Sequence, residues 1–189
     1  MAGHTCPPWV GYLLLNPLRR FLENPYKILS PFVHKGMTVL EPGCGMGYFT
    51  LPLAEMVGPE GRVVAVDLQD KMLSSLRRRA KKQGLMERIE LRRATADSLN
   101  VGYLSGQVDF AIAFHVVHEV QDKNGFFSEI FTVLRPGGTL FMVEPRFHVS
   151  LDAFSHGLAL ARAAGFHTDS TQTTWGSREI LLRKGPAPS

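Results

Sequence analysis

Residues 39–50, VLEPGCGMGYFT, place three glycines at alternate positions behind Glu41, namely Gly43, Gly45 and Gly47. Glycine at this density weakens the interior of a strand or helix but permits the left-handed backbone of a tight turn. The apolar residues before the glycines predict a strand over 37–41, and a helix is predicted to begin near Gly47. In an open parallel sheet, ligands bind at such a turn beyond the carboxyl end of a strand.

The rest of the chain repeats this alternation of strand and helix. Apolar runs rich in β-branched residues predict strands at 37–41, 62–67, 88–92, 108–114 and 138–143, and the amphipathic stretches between them predict helices at about 47–57, 70–83 and 123–134. Strands without polar alternation are typical of a parallel sheet that helices cover on both faces. The pattern therefore predicts a doubly wound α/β fold.

Capping residues mark further elements and suggest the domain organisation. Ser150 is predicted to cap a helix over 151–164 with Gly165 at its end, and a final hairpin pair of strands follows. Asn24 followed by proline predicts a short helix near the N-terminus. We expect residues 1–36 to form a helical lid segment, residues 37–184 to form one domain, and residues 185–189 to form a disordered tail.

The composition is that of an ordinary globular protein, with 189 residues of which 44% are hydrophobic and 20% charged. The longest apolar run near the N-terminus, residues 10–15, is too short to span a bilayer and lacks a basic region ahead of it. We therefore expect no membrane span and a cytoplasmic location. Cys6 and Cys44 are too few for a disulfide framework and are not spaced as a metal pair, so we expect two reduced thiols.

The net charge of +4 comes mainly from one basic region, residues 77–93. A nucleic acid is one partner that such a region could bind. However, the apolar residues between positions 72 and 80 recur at helical spacing, which turns the basic side chains toward water. Aromatic residues, on which single-stranded bases stack, are not interleaved with them. We favour a solvated helix face over a nucleic-acid interface.

Two carboxylates and the glycine spacing indicate the ligand. A dinucleotide loop has the spacing G-x-G-x-x-G, whereas here the third glycine comes one residue early and Tyr48 stands at the glycine position. Glu41 would repel a pyrophosphate but attract an ammonium or a sulfonium. Asp67 ends the second strand, where an acid accepts bonds from ribose hydroxyls, and Asp97 follows the third strand, where it can bind a purine amino group. Together these features predict S-adenosylmethionine.

Four motifs in the expected order resemble those of the class I S-adenosylmethionine-dependent methyltransferases. They are E-x-G-x-G-x-G after the first strand, an acid at the end of the second, "AD" after the third, and "LRPGGTL" before the fifth. The resemblance runs from about residue 37 to residue 184 and is greatest to the small-molecule branch that contains the ubiquinone and menaquinone C-methyltransferases. It implies a seven-stranded, mostly parallel sheet with an antiparallel last strand at about residues 179–183.

The same resemblance implies roles for individual residues. Glu41, Gly43 and Gly45 would hold the methionine portion of the cofactor, and Asp67 the ribose. The adenine would lie between Leu68 and Ala96, with Asp97 at its amino group. The implied activity is methyl transfer to a small-molecule acceptor.

Candidate residues for the transfer step follow the fourth and fifth strands. Histidine exchanges protons near neutral pH, and "AFHVVHEV" contains His115 and His118, followed by Glu119. His115 is expected to line the cofactor cleft or to be structural, and His118 with Glu119 to form a turn or to act in catalysis. Glu144 is expected to orient a substrate or to pair with Arg146. We predict no metal, because H-x-x-H-E differs from the helical H-E-x-x-H motif.

Three alternatives to a small-molecule methyltransferase stay open at this stage. A nicotinamide-dependent oxidoreductase conflicts with Glu41 and the short glycine spacing. A non-catalytic S-adenosylmethionine-binding protein would use the same cofactor residues, since the acceptor residues are not readable. An RNA methyltransferase would rest on the basic region 77–93 alone. The sequence does not indicate the methylated atom or the oligomeric state.

Overall fold

The computed structural model describes residues 23–173 and 176–185. The chain divides into two compact units, one up to Ala94 and one from Thr95. Residues 1–22 of the predicted lid segment and most of the predicted tail lie outside the described residues. The predicted boundaries of lid, domain and tail therefore stay predictions. Within the described part of the chain, no helix has both the length and the hydropathy needed to cross a bilayer.

The first unit is a parallel three-stranded sheet with its helices. In chain order its elements are α1 (Pro25–Leu29), β1 (Thr38–Pro42), α2 (Thr50–Val57), β2 (Arg62–Asp67), α3 (Asp70–Lys82) and β3 (Ile89–Arg93). β2 lies between β1 and β3 and is parallel to both. The four residues from Val63 to Val66 are completely buried, as expected for a parallel strand covered on both faces.

The second unit combines parallel and antiparallel strands. Its elements are β4 (Val108–Phe114), α4 (Lys123–Val133), β5 (Leu134–Pro145), α5 (Leu151–Ala163), β6 (Phe166–Thr173) and β7 (Ser177–Lys184). β4 and β5 are parallel, whereas β7 is antiparallel to both of its neighbours, β5 and β6. The predicted hairpin and the antiparallel last strand are therefore confirmed. A one-turn 3₁₀ helix, Val117–Glu119, follows β4.

The predicted caps are confirmed. The Asn24 side chain accepts hydrogen bonds from the amides of Tyr26 and Lys27 at the start of α1. The Ser150 side chain accepts one from the amide of Ala153 at the start of α5, and Gly165 follows that helix with φ at +107°. Each cap satisfies a backbone group that the helix itself leaves unpaired.

Two predicted boundaries are wrong. The helix after the glycines begins at Thr50 instead of near Gly47, because Gly47 has φ at +85°, outside the helical region. β5 covers residues 134–145 instead of 138–143, and its pairing with β4 shifts register where the Pro-Gly-Gly sequence stands. A bulge inserts residues that break the alternation of a strand, so the hydrophobic pattern alone does not reveal that the strand continues through it.

The basic region is largely a solvated helix face, as predicted. On α3 the apolar Met72, Leu73, Leu76 and Ala80 are buried, and Arg77, Arg78, Lys81 and Lys82 are exposed. The other basic residues have protein partners: Arg79 donates to the Met46 carbonyl, Arg88 to the Ala54 carbonyl, Arg92 pairs with Glu90, and Arg93 pairs with Asp70. These partners make the region less available to a polyanion than its charge alone suggests.

Gly47 meets both a backbone and a packing requirement. Its φ is +85°, and a Cβ atom added there would lie 2.4 Å from Cδ1 of Leu76, a completely buried side chain. We expect Gly47→Ala to lower the free energy of unfolding by about 2–4 kcal/mol, combining the left-handed backbone cost with overpacking. Urea unfolding measures this loss.

Gly84→Ala is the matched control for the backbone term. Gly84 also has a left-handed φ, +68°, but nothing lies within 4 Å of a Cβ added there. We expect it to cost only about 1 kcal/mol. Equal losses for the two variants would mean that Leu76 moves aside freely and that its packing does not restrict Gly47.

Candidate cofactor and acceptor site

The glycine loop is a tight turn fixed to the end of β2. Gly43, Gly45 and Gly47 have φ values of +71°, +53° and +85°, which other residues rarely adopt. Between the first two, the Cys44 amide donates to the Val66 carbonyl at 3.0 Å. The buried Cys44 thiol has a raised pKa, because burial disfavours its thiolate, and Glu41 and Asp67 oppose it further. Cys44 is therefore a packing residue of the loop.

Asp67 joins the glycine loop to the start of α3. Its Oδ2 accepts a hydrogen bond from the Gly45 amide and its Oδ1 one from the Gln69 amide, each at 2.9 Å. Burial raises the pKa of Asp67, although these amide hydrogen bonds favour the charged form. Because each carboxylate oxygen has two lone pairs, both oxygens can accept a further bond from a ligand. The structure thus holds this carboxylate in one orientation with acceptor capacity left over.

Glu41 is a buried acid at the end of β1. It is 5% exposed, and its Oε2 accepts a hydrogen bond from Oγ1 of Thr50 at 2.6 Å. Burial, with a smaller contribution from the charge of Asp67, raises its pKa to about 8, while the Thr50 hydrogen bond acts in the opposite direction. A cation placed here would favour the carboxylate form. Thr50 was not predicted as a site residue, because its only signal in the sequence is a hydroxyl at the first residue of the following helix.

The residues expected around adenine lie on exposed surface. Leu68, directly after Asp67, is 42% exposed. In the second unit, Ala96 and Asp97 are both exposed in a turn in which the Thr95 amide donates to the Ser98 carbonyl at 2.8 Å. Their predicted contacts with adenine stay predictions.

His115 has a strained backbone at the end of β4. Its φ is +55°, its amide donates to the Val143 carbonyl at 2.8 Å, and its Nε2 atom is buried. Its ring lies 4.3 Å from the ring of Phe114. A left-handed backbone is uncommon for residues other than glycine, although histidine adopts it more often than most, and such conformations cluster at functional sites. This geometry supports a role in a ligand site without specifying it.

His118 and Glu144 form a buried pair in the second unit. Nδ1 of His118 lies 2.6 Å from Oε2 of Glu144, whose Oε1 accepts a bond from the Val117 amide at 3.0 Å. The sequence had not predicted this partner for Glu144, for which the alternatives were orienting a substrate and pairing with Arg146. Burial lowers the pKa of His118, but the hydrogen bond and charge of Glu144, together with Glu119, outweigh it and raise the pKa overall.

These contacts group the predicted site residues by unit. In the first unit, Glu41, the glycine loop and Asp67 lie together, and in the second unit His118 and Glu144 do so. His118 also belongs to the predicted turn, since Val117–Glu119 is a 3₁₀ helix. Among the described residues, no three His, Cys, Asp or Glu side chains are grouped as a metal site would require.

Comparisons with known proteins identify the family. A family model described as a methyltransferase domain matches residues 33–176, and the chain therefore belongs to this family. It is 32% identical over 137 residues to the ubiquinone/menaquinone biosynthesis C-methyltransferase UbiE of Pasteurella multocida (strain Pm70), a match that covers 70% of this chain and 50% of the relative. The chain spans about half the length of the curated relatives it matches.

Solved structures show the same fold. A SAM-dependent methyltransferase from Aquifex aeolicus superposes with a TM-score of 0.84 at 24% identity, covering 95% of this chain and 99% of the other. The cyclase SpnF superposes with a TM-score of 0.76 at 18% identity, covering 87% and 81%. The predicted seven-stranded α/β fold and the predicted family are thus confirmed.

Proposed function

We propose that this chain transfers a methyl group from S-adenosylmethionine to a small-molecule acceptor. The observation that carries the proposal is the Asp67 carboxylate, held by the Gly45 and Gln69 amides with acceptor capacity left over, beside the buried Glu41. The oriented Asp67 carboxylate can accept hydrogen bonds from the two hydroxyls of a ribose. A cation such as an ammonium would favour the ionised form of Glu41 beside it, so the pair suits a ligand that carries both groups.

Each residue of the first unit has a separate task in this proposal. Asp67 accepts hydrogen bonds from the ribose hydroxyls, Glu41 attracts the methionine ammonium, and Gly43 and Gly45 let the ligand approach the backbone. Leu68 covers one face of the adenine. When bound, the cofactor supplies an electrophilic methyl group on a sulfonium. The protein contributes alignment of the reactants and exclusion of water.

Roles for residues of the second unit also belong to the proposal. Ala96 and Asp97 contact adenine, and His115 lines the cofactor site. His118 and Glu144 act on the acceptor. A cytoplasmic location and a small-molecule acceptor complete the proposal, and the similarity to UbiE supports an acceptor of this size.

A non-methylating S-adenosylmethionine-binding protein is the second candidate. The specific observation in its favour is the fold shared with SpnF, which is named as a [4+2]-cyclase. Fold alone does not determine the reaction. The release of S-adenosylhomocysteine in the presence of candidate acceptors distinguishes the two candidates.

RNA methylation is tested by salt-dependent RNA binding, since phosphate contacts weaken steeply with salt.

Calorimetric titration of the purified chain with S-adenosylmethionine, S-adenosylhomocysteine and NAD(H) tests the cofactor. We expect both adenosyl ligands to bind and NAD(H) to give no heat, because the loop lacks the G-x-G-x-x-G spacing that holds a pyrophosphate. Binding of NAD(H) without S-adenosylmethionine would contradict the proposal.

The same calorimetry counts protons. Because the pKa of Glu41 is raised to about 8, its carboxyl is mostly protonated at neutral pH before the ligand binds. We expect S-adenosylmethionine to displace about one proton per site at pH 7, measured as a dependence of the binding enthalpy on the ionisation enthalpy of the buffer. Glu41→Gln should abolish this dependence. A dependence that persists in the variant would assign the proton to another group.

A further inference from the structure

The helix α3 contacts the glycine loop through two side chains on one of its faces. Arg79 donates a hydrogen bond from Nη1 to the Met46 carbonyl. Leu76, three positions earlier, is completely buried and lies so close to Gly47 that a Cβ atom would not fit there. Residues three positions apart lie on the same side of a helix. One face of α3 therefore packs against two consecutive residues of the loop.

Arg79 differs from the two arginines before it. Arg77 and Arg78 are exposed, whereas Arg79 is half-buried and bonds a residue 33 positions away. Burial lowers the pKa of the Arg79 guanidinium, because it removes water from a charged group. Such a removal is unfavourable unless hydrogen bonds replace the water. The Met46 carbonyl supplies one of these bonds, so Arg79 connects α3 to the loop instead of facing solvent as its neighbours do.

The peptide group between Met46 and Gly47 is held at both ends. Its oxygen accepts the Arg79 bond, and its N–H donates to the Cys44 carbonyl at 3.0 Å. The glycines around it, Gly45 and Gly47, have φ values of +53° and +85°. Glycine adopts positive and negative φ about equally readily, so these residues permit the loop conformation without selecting it. The two hydrogen bonds are what favour one orientation of this peptide group.

Gly45 is the residue of the loop that a ligand can approach. Among the described residues, nothing lies within 4 Å of a Cβ atom added there. Its amide donates to Oδ2 of Asp67 at 2.9 Å, which anchors the backbone to the end of β2. The Arg79 bond anchors the next residue, Met46, to α3. The open position of the loop is therefore fixed by side chains from two different elements.

We infer that Arg79 is a positioning residue of the proposed cofactor site, which holds the Met46–Gly47 peptide group in the orientation that lets the loop bind the methionine portion of S-adenosylmethionine. The inference rests on the proposed function, in which this portion of the ligand lies against Gly43 and Gly45. The positive charge of Arg79 would repel an ammonium or a sulfonium, so direct contact with the ligand would not favour binding. Arg79 contributes through the backbone of the loop.

Arg79→Met tests this role, with Arg78→Met as the matched control. Methionine keeps an unbranched side chain but has no donor for the Met46 carbonyl, and Arg78→Met removes the same charge from the exposed neighbouring position. We expect Arg79→Met to bind S-adenosylhomocysteine about tenfold more weakly than the wild-type chain, and Arg78→Met to change the affinity by less than about twofold. Calorimetry measures both affinities. An unchanged affinity in Arg79→Met would overturn the inference.

Adenosine separates positioning of the loop from general support of the fold. It contains the ribose and the adenine but lacks the methionine portion, so we expect its affinities for wild type and Arg79→Met to agree within about twofold in an NMR titration. Equal weakening of adenosine and S-adenosylhomocysteine would overturn the inference, because Arg79 would then only stabilise the fold. If Arg79→Met does not fold, Arg79→Gln replaces it, since glutamine stays polar and its shorter side chain does not reach the Met46 carbonyl.

Amide hydrogen exchange tests the loop without any ligand. Because the Gly47 amide belongs to the peptide group that Arg79 holds, we expect it to exchange about fivefold faster in Arg79→Met and at the wild-type rate in Arg78→Met. An unchanged rate in Arg79→Met would overturn the inference. A wild-type chain that binds no adenosyl ligand would contradict the proposed function, whereas equal binding of S-adenosylhomocysteine with and without the arginine would contradict this inference alone.

Discussion

Asp67→Ala should weaken S-adenosylmethionine binding by about a hundredfold, because the variant removes a charged acceptor for two ribose hydroxyls. The structure supplies a second reason for a large effect. The same carboxylate accepts bonds from the Gly45 and Gln69 amides, so its loss also removes one of the hydrogen bonds that fix the glycine loop to the end of β2. Calorimetry gives the affinity, and thermal unfolding shows whether the variant remains folded.

A neighbouring acid provides the control. Asp70, in the first turn of α3, is 63% exposed and pairs with Arg93 at the surface. Asp70→Ala removes the same charge from the same region, but we expect the affinity to change by less than about threefold. A comparable loss in both variants would indicate a general charge effect instead of a ribose contact.

A double-mutant cycle separates the direct contact from the loop effect. An S-adenosylhomocysteine analogue without the ribose 2′-hydroxyl should bind the wild-type chain more weakly than the parent ligand. In Asp67→Ala, omitting the 2′-hydroxyl should weaken binding much less, because this variant has no carboxylate to accept the hydroxyl's hydrogen bond. Additive losses would mean that Asp67 acts only by fixing the loop.

The sequence predicted local features with a strong chemical signature. The glycine loop, the acids at the ends of β1 and β2, and the caps at Asn24 and Ser150 all follow from residues close together in the chain. Gly47 shows the limit of this reasoning. Its left-handed backbone is typical of glycine, but the closeness of Leu76, which excludes a side chain, depends on how α3 packs.

Contacts between distant residues could not be predicted in the same way. Glu144 and His118 are 26 positions apart, and sequence reasoning offered Arg146 as a partner because it is nearer along the chain. The raised pKa of Glu41 likewise depends on burial and on Thr50, nine positions away. Electrostatic environment is a property of the packed structure, and hydrophobic periodicity carries no information about it.

Gly157 illustrates a third kind of limit. Within α5 it interrupts an otherwise ordinary amphipathic pattern, and a single glycine in a helix has several explanations. Only the positions of β5 and of the turn after β4 show that this glycine borders a cavity with a histidine in its wall. The proposed cofactor residues were therefore predictable from motifs, whereas the cavity beside His118 required coordinates.

Glu144→Ala should lower the free energy of unfolding by about 3–5 kcal/mol, the usual cost of removing one partner of a buried charged pair. The Glu144 side chain is 3% exposed and that of His118 is 17% exposed, so water does not readily replace the lost carboxylate. The Val117 amide loses its acceptor as well. Urea unfolding at neutral pH measures the loss, and Glu119→Gln, which changes a more exposed carboxylate near the same histidine, should cost less than about 1 kcal/mol.

Glu144→Gln separates charge from hydrogen bonding, because the amide oxygen can still accept the Val117 amide bond. Glu144 raises the pKa of His118 above its ordinary value of 6.5, so the stability it contributes through protonated His118 is fully present below that value and is lost as the pH rises through the raised one. The difference in unfolding free energy between wild type and Glu144→Gln should therefore be largest in mildly acidic solution and shrink toward alkaline pH. A difference that does not change with pH would mean that His118 is neutral in the folded protein, and the carboxylate would then only orient the ring.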